Sequence, residues 1–479
     1  MRILFLVPPP LDGCPAAERI FGCNYGIYPQ PNLFVLYPAT VLKRLGHEVA
    51  VLDFPIRRGT RRDFDKFTRT QRFDIVFFHT VFLSRRTDLA ARDLLRAHCP
   101  ATKYVFTATE PSADPSAFVA ADSVVIRGEP ESVAGAVVDA LAAERGFSGV
   151  RGVSWLDSGR LVNEPAAEVL ADLDALPFPD RTLLGAATGY HNPKLSRQPF
   201  TTMVASRGCP HACYYCVPNS QSFAREIEFK REHGGHKPPV RQRSAANVVA
   251  EFRALAESGY RAISFVDDQF LWAPERTFEI CEGLAGSGVE WSCLARSDRL
   301  QDPAIARAMG RAGCRYVDIG IESFHQPILD YIGKELKVET VYTAVENLRA
   351  AGVEPELNVL LGSCPLETHE TMEKTFKELV KLDVDYVLFS VCTPFPHTRF
   401  NEVAKREGWM IKPRYEAIDP IKQSFISYPH LTRDQLEKAL RSMYRRFYFR
   451  PRYLWRRLRQ VRGPRDMLNK VRAALSILR

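Results

Sequence analysis

The stretch Ser206-Arg207-Gly208-Cys209-Pro210-His211-Ala212-Cys213-Tyr214-Tyr215-Cys216 restricts this chain more than any other. Its three cysteines follow the spacing C-x3-C-x2-C directly after the β-rich run Thr201-Thr202-Met203-Val204-Ala205, in a loop punctuated by Gly and Pro. Such a loop can aim three thiolates at one centre, and thiolates select iron–sulfur clusters or zinc. Either centre usually takes four cysteines. The nearest others are Cys99 and Cys281, so no local fourth ligand closes the site. The pattern reads as a metal centre with an open coordination position.

A loop of this kind needs a scaffold, and 479 residues exceed one ordinary core. Residues 1–145 alternate Val/Ile/Phe-rich runs (Ile3 to Val7, Glu48 to Leu52, Asp74 to His79, Tyr104 to Thr107, Ser123 to Ile126) with helix-period segments. That alternation predicts a doubly wound, Rossmann-like α/β domain with a ligand beyond the carboxyl ends of its five strands. Residues 146–195 read as a linker, because Leu173-Asp174-Ala175-Leu176-Pro177-Phe178-Pro179 interrupts helix and central strand alike. In residues 196–410 the alternation returns with six strand candidates, which suits a partial (β/α)6 barrel. Residues 411–479 form a basic, amphipathic helical C-terminal region.

Working residues of βα barrels sit at the carboxyl ends of strands. Here those are Asp267 and Asp268, Arg296, Glu322 with Ser323, Gly362, and the turn Thr393-Pro394-Phe395-Pro396. Two other roles stay open: Asp267 and Asp268 as a helix N-cap pair before Pro274, and Glu322 as the ion-pair partner of a barrel arginine.

The cysteine spacing, with the aromatic Tyr215 before the last cysteine, resembles the cluster loop of radical S-adenosylmethionine (SAM) enzymes. The resemblance implies that Cys209, Cys213 and Cys216 hold a [4Fe–4S] cluster whose remaining iron is chelated by SAM. It also implies that residues among Tyr215, Asp267, Asp268, Arg296, Glu322, Ser323 and Gly362 surround SAM. Upstream, Leu45-Gly46-His47-Glu48-Val49, Asp74-Ile75-Val76-Phe77-Phe78-His79-Thr80 followed by Ser84 and Thr87, and Arg127-Gly128-Glu129-Pro130-Glu131 are similar to cobalamin-binding domains fused to such enzymes. On that likeness Thr80, Ser84, Gly128 and Glu129 become candidate cobalamin contacts. The segment Leu173 to Arg181 resembles the linker between the two domains.

Two departures stand out. The D-x-H-x-x-G motif is absent, and Thr107-Ala108-Thr109-Glu110-Pro111 stands where Gly-Gly-x-His often occurs. No histidine from that motif is expected below cobalt, and His79 reads as a packed or hydrogen-bonded residue. The activity implied is methyl transfer to an unactivated carbon of a small-molecule or lipid-like substrate, with electrons from a flavodoxin or ferredoxin type donor. A cyclisation, oxidation or rearrangement with the same cofactors is the alternative, as in magnesium-protoporphyrin monomethyl ester cyclases or hopanoid-type lipid enzymes.

Composition is that of an ordinary soluble protein, with 46% hydrophobic and 25% charged residues. The N-terminus reads as a first strand and not a signal peptide, and the eleven cysteines show no regular disulfide framework, so a cytoplasmic location is expected. The formal charge of +9 is concentrated at the C-terminus: residues 441–479 carry thirteen Arg and Lys against Asp466 alone. Arginines interleaved with Trp, Tyr, Phe and Leu there suit a helical cap on the barrel, contact with a membrane surface (inner-membrane periphery), or RNA binding. The last would make the chain a nucleic-acid-binding protein with a structural metal loop, a rival from another class.

Overall fold

The computed structural model describes residues 1–24, 28–57, 59–185, 189–412, 419 and 421–459. The stretch 460–479, which carries part of the basic tail discussed above, lies outside the described residues. The chain divides into two compact units. The first holds residues 1–210, 217–294 and 312–314, and the second holds 211–216, 295–311 and 315–479. Compactness therefore cuts inside the expected barrel segment and not at residues 145 or 195.

In the first unit the alternation read from sequence folds as β1 (Arg2–Val7), α1 (Leu33–Arg44), β2 (Glu48–Asp53), α2 (Arg61–Thr70), β3 (Ile75–His79), α3 (Arg85–His98), β4 (Lys103–Thr107), α4 (Thr109–Ala113), β5 (Ser123–Ile126) and α5 (Ala134–Ala142). The strands pair in parallel in the order β2-β1-β3-β4-β5. All five residues of β3 are buried, as a central parallel strand covered on both faces requires. The chain winds to one side of β1 for β2 and to the other for β3, so the topological switch point lies at the carboxyl ends of β1 and β3.

The start of the expected linker instead extends this sheet, as the antiparallel hairpin β6 (Val153–Asp157) and β7 (Arg160–Asn163). Ser158 and Gly159 form its turn with φ of +48° and +81°, the sense a two-residue hairpin connection demands. The rest of the linker is tied down. Arg181 reaches the Thr202 carbonyl at 2.8 Å and pairs with Glu251 at 2.6 Å. The Asn192 side-chain amide donates to Ser264 at 3.1 Å. These contacts bind it to β8 (Phe200–Met203), α7 (Ala245–Glu257) and β11 (Ala262–Phe265); α8 (Pro274–Leu284) and β12 (Glu290–Ala295) follow, and the strands run parallel as β8-β11-β12. Between them lie the short β9 (Ser206–Arg207), which pairs antiparallel with β10 (Arg241–Gln242), and α6 (Ser220–Glu232).

The second unit holds α9 (Pro303–Arg311), β13 (Cys314–Glu322), α10 (Gln326–Tyr331), α11 (Glu339–Ala350), β14 (Glu354–Leu361), α12 (His369–Leu382), β15 (Tyr386–Val391), α13 (Arg399–Arg406), α14 (Arg433–Tyr448) and α15 (Pro451–Arg459). Its strands are parallel in the order β13-β14-β15. Helix α14 opens with a capping box, Thr432 accepting from the Gln435 amide while Gln435 Oε1 accepts from Thr432 N at 2.7 Å. It buries Leu436, Leu440, Met443 and Phe447. Two tyrosines one helical turn apart then serve β15: Tyr444 Oη accepts from Phe389 N (3.1 Å) and donates to its carbonyl (2.7 Å), and Tyr448 Oη does the same for Val387 (3.0 and 2.7 Å). Side-chain hydroxyls thus satisfy strand groups that would otherwise stay open to pairing.

Two outcomes follow for stability. Tyr444→Phe removes both partners of Phe389, and the denaturation midpoint should fall by the equivalent of about 1–2 kcal/mol with the fold retained. Ala108 has φ +80° and ψ −156°, a conformation open essentially to glycine alone. Ala108→Gly should raise stability by about 1 kcal/mol in the same denaturation measurement.

Candidate functional site

In the first unit two carboxylates that follow β11 hold the backbone on either side of the cysteine loop. Asp268 Oδ2 accepts from the Gly208 amide at 3.0 Å, one residue before Cys209. Its Oδ1 accepts from the Asn219 amide at 2.6 Å, three residues after Cys216. One side chain therefore fixes both ends of the segment that carries all three cysteines. Ser222 Oγ adds a second acceptor for the Gly208 amide at 3.1 Å. Gly208 has φ +94°, which a side chain would strain. Burial raises the Asp268 carboxyl above its ordinary range, opposed by the donors on Ser222, Asn219 and Gly208.

Asp267 serves the strand before the loop. Both of its oxygens lie 3.0 Å from the Ala205 amide, and Oδ1 accepts from Ser206 Oγ at 2.6 Å. Burial pushes its carboxyl up to about 6, against the opposing pull of Ser206 and Ala205. The N-cap role for this pair is not what the structure displays: the cap of α8 is Ala273.

The segment Arg127 to Glu131 follows β5 into an ionic core. Arg207, 1% exposed, bridges Glu129 (3.0 Å) and Glu131, while Arg241 grips both oxygens of Glu129. Gln221 completes Glu131 at 2.9 Å, and Arg207 stands over the Tyr37 ring at 5.1 Å. Burial alone would raise Glu129, but the Arg207 and Arg241 guanidinium groups hold it at about 2. Gly128 has φ +77° and its amide donates to Ser112 Oγ at 3.0 Å. Neither Glu131 nor Arg207 stood out in the sequence as a pair, because 76 residues separate them.

At the carboxyl ends of β3 and β4 several polar atoms are buried without a protein partner among the described residues: His79 Nδ1, Thr80 Oγ1 and Thr109 Oγ1. Ser220 Oγ donates to the Arg19 carbonyl at 2.8 Å, so the 2.9 Å contact with His79 Nε2 has the imidazole as donor. His79 is neutral, its pKa lowered to about 3 by burial and by Arg19. Ser84 is committed to Asp88 (2.9 Å) and to the Val81 backbone. Beyond β1 and β2 lies a cavity of about 250 Å³ lined by Val7, Ala17, Arg19, Asn32 and Asp53, with Asn32 Nδ2 also unpartnered.

The second unit carries the remaining two cysteines with a buried cation beside them. Lys334 Nζ pairs with Glu322 Oε1 at 2.7 Å, and Tyr215 hydrogen-bonds to the same carboxylate. Burial alone would lower Lys334, but Glu322, Cys213 and Cys216 hold it above its usual value. The sequence left Glu322 open to an arginine partner; the structure supplies a lysine. Glu322 has φ +62°, beside a register shift in β13. A Cβ on Gly320 would stand 2.8 Å from Glu322 Oε1 and 3.0 Å from Lys334 Nζ, so a side chain there would push the ends of the pair aside. Arg296 does not present a free guanidinium: it donates to the carbonyls of Lys334 (2.8 Å) and Glu335 (2.6 Å) and pairs with Asp298. It thereby fixes the segment that carries Lys334.

Ser323 accepts from the His325 amide at 3.1 Å and meets Thr375 Oγ1 at 3.3 Å. Gly362, at φ +68°, offers its carbonyl to Tyr428 Oη at 3.0 Å. Tyr214 donates to the Ser363 carbonyl and packs on Phe400 at 5.1 Å. Among the described residues no three His, Cys, Asp or Glu side chains form a ready-made metal cage. The chemistry of the donors nonetheless suits an anionic iron–sulfur centre, with thiols beside a buried ammonium and a loop pinned by its backbone.

Asp268→Ala should lower iron and sulfide content per chain several-fold after reconstitution, with Asp268→Asn intermediate because it keeps one acceptor oxygen. Lys334→Met should leave the iron content and shift the midpoint potential of the centre to more negative values in a spectroscopic redox titration, since a cation stabilises the electron-rich form.

A family profile described as the radical SAM superfamily matches residues 203–379. A protein of Pyrococcus horikoshii named as an uncharacterized methyltransferase is 32% identical over 336 residues, covering 69% of this chain and 68% of its own length. The anaerobic magnesium-protoporphyrin IX monomethyl ester cyclase of Cereibacter sphaeroides is 28% identical over 346 residues, 70% of this chain and 53% of the cyclase. Among solved structures, the radical SAM methyltransferase TsrM from Kitasatospora setae superposes with a TM-score of 0.65 at 18% identity, covering 88% of this chain and 80% of TsrM. The cobalamin-dependent radical SAM enzyme OxsB gives 0.71 at 17% identity, covering 99% and 71%. At those identities the likeness is one of fold. Taken with the cysteine loop, the profile and the 32% identical relative mean that the chain belongs to the radical SAM superfamily.

Proposed function

We propose that this protein is a cobalamin-dependent radical SAM methyltransferase acting at an unactivated carbon of a small molecule. The observation that carries the reading is the C-x3-C-x2-C loop pinned at both ends by Asp268, in a chain whose 32% identical relative is named as a methyltransferase. Bound together, a [4Fe–4S] cluster, SAM and cobalamin supply one electron, a hydrogen-abstracting radical and a transferable methyl group.

The chain's own residues would hold these groups. Cys209, Cys213 and Cys216 are the thiolate ligands, Asp268 sets the loop on which they stand, and Lys334 offsets the negative charge of the centre. Glu322 is held by Lys334 and Tyr215 at a strand end, where a carboxylate suits the ammonium of SAM. In the doubly wound domain, Thr80, Thr109 and Asn32 keep hydrogen-bonding atoms without protein partners among the described residues. Those atoms, at the carboxyl ends of the strands, suit an amide-rich cofactor such as cobalamin. The 250 Å³ cavity is far smaller than a corrinoid, so this region would receive only part of it. Thr80 and Asn32 are better candidates than Ser84 and Glu129, whose oxygens are already engaged.

A second reading keeps the cofactors and omits methyl transfer, and the likeness to the protoporphyrin ester cyclase supports it. The two separate in one experiment. Anaerobic incubation of candidate small molecules with SAM, a low-potential reductant and methylcobalamin should convert an accepted one into a product in which a methyl group replaces a hydrogen, seen by mass spectrometry, with that hydrogen carried off in 5′-deoxyadenosine. A product of unchanged or lower mass sinks methyl transfer. In the Cys209→Ala/Cys213→Ala/Cys216→Ala variant the iron–sulfur absorbance should vanish while bound cobalamin persists.

A further inference from the structure

Helix α15 shows a surface that the enzyme chemistry does not use. At about 100° per residue, its side chains divide into two faces. One face docks inward: Arg456 pairs with Asp383 (3.0 Å) and Asp385, and Tyr453 packs against Tyr448 with ring centroids 5.3 Å apart. The opposite face carries Leu454, Leu458 and Trp455, which are 39%, 52% and 59% exposed. Of the large hydrophobic side chains that the described chain exposes, three therefore share one nine-residue helix. Arginines border them: Arg452 has a side chain 84% exposed, and Arg459 stands over the Trp455 ring at 4.9 Å. In sequence, residues 441–479 carry thirteen basic residues to one acid.

From this arrangement we infer that α15 is an interfacial docking element for an anionic lipid surface. Apolar side chains enter the boundary between headgroups and acyl chains while guanidinium groups meet the lipid phosphates. An RNA strand fits the same charge but not the same face, because bases stack on aromatic rings and two of the three exposed side chains are leucines. No helix among the described residues is long and apolar enough to cross a membrane. The inference stands independently of the reaction proposed above.

The test uses the full chain with its cofactors in vesicle flotation. Vesicles of phosphatidylcholine containing about one third phosphatidylglycerol should carry the protein up the gradient, and pure phosphatidylcholine should not. Raising salt to about 0.5 M should release it, as screening predicts. Trp455→Ser/Leu458→Ser should cut binding about tenfold while melting temperature and iron–sulfur absorbance stay unchanged, since both side chains are exposed. A chain truncated after Arg459 should still float. Failure to float with anionic vesicles, undiminished flotation of the double variant, or loss of flotation on truncation with the double variant still bound would each overturn the proposal. So would binding of single-stranded RNA, or self-association, that the double variant abolishes while vesicles are ignored.

Discussion

The shape of the cysteine loop depends on one buried carboxylate that must accept hydrogen bonds from two backbone amides eleven residues apart. Asp268 bridges Gly208 and Asn219, so the segment between them is closed like a clasp. A loop fixed at both ends loses little further freedom when its thiolates bind metal, which lowers the entropic cost of assembling the centre. Its neighbour Asp267 holds Ala205 and Ser206 in the same way, so the approach to the loop is as constrained as the loop itself. Two acids that look like ligand contacts in sequence act in this structure on the backbone.

The ionic core around Arg207 extends that constraint into the doubly wound sheet. Charges buried as deeply as Arg207 and Glu129 are tolerated only with several good partners, and removal of one partner typically costs about 3–5 kcal/mol. Such a network contributes geometry more than net stability. It ties the turn after β5 to β9, two residues upstream of Cys209, and so couples the sheet to the start of the cysteine loop. Helix α6 serves the same core with polar side chains: Ser220, Gln221, Ser222, Arg225 and Glu228 are all buried.

The second unit solves a parallel problem with opposite charge. Lys334 is buried beside Cys213 and Cys216 and stays charged through Glu322, while Arg296 uses its donors on the backbone that carries Lys334. Glu322 holds a left-handed conformation that disfavours any residue but glycine. Strain of that kind persists where surrounding contacts over-determine it, and here the pair with Lys334 and the bond from Tyr215 do so. Away from this centre, Tyr444 and Tyr448 give α14 a packing role, which accounts for the first part of the basic C-terminal region as a cap on β15.

Local pattern determined the elements. Short continuous apolar runs and amphipathic helical segments placed β1 to β5, β11 to β15 and most of their helices, since each signal lies within one short window. The cysteine spacing marked the metal loop for the same reason. Helix α6 left no trace because its buried face is polar, so the usual apolar period is missing. The β6–β7 hairpin was hidden in a segment whose later prolines suggested only a spacer. What tertiary structure alone decided is which charges meet. Arg207 finds Glu129 and Glu131 across more than seventy residues, Asp268 finds Gly208 across sixty, and Lys334 finds Glu322 only after β13 and α10 have packed. Electrostatic and hydrogen-bond partners are set by distance in space, and a linear sequence carries no direct record of that distance.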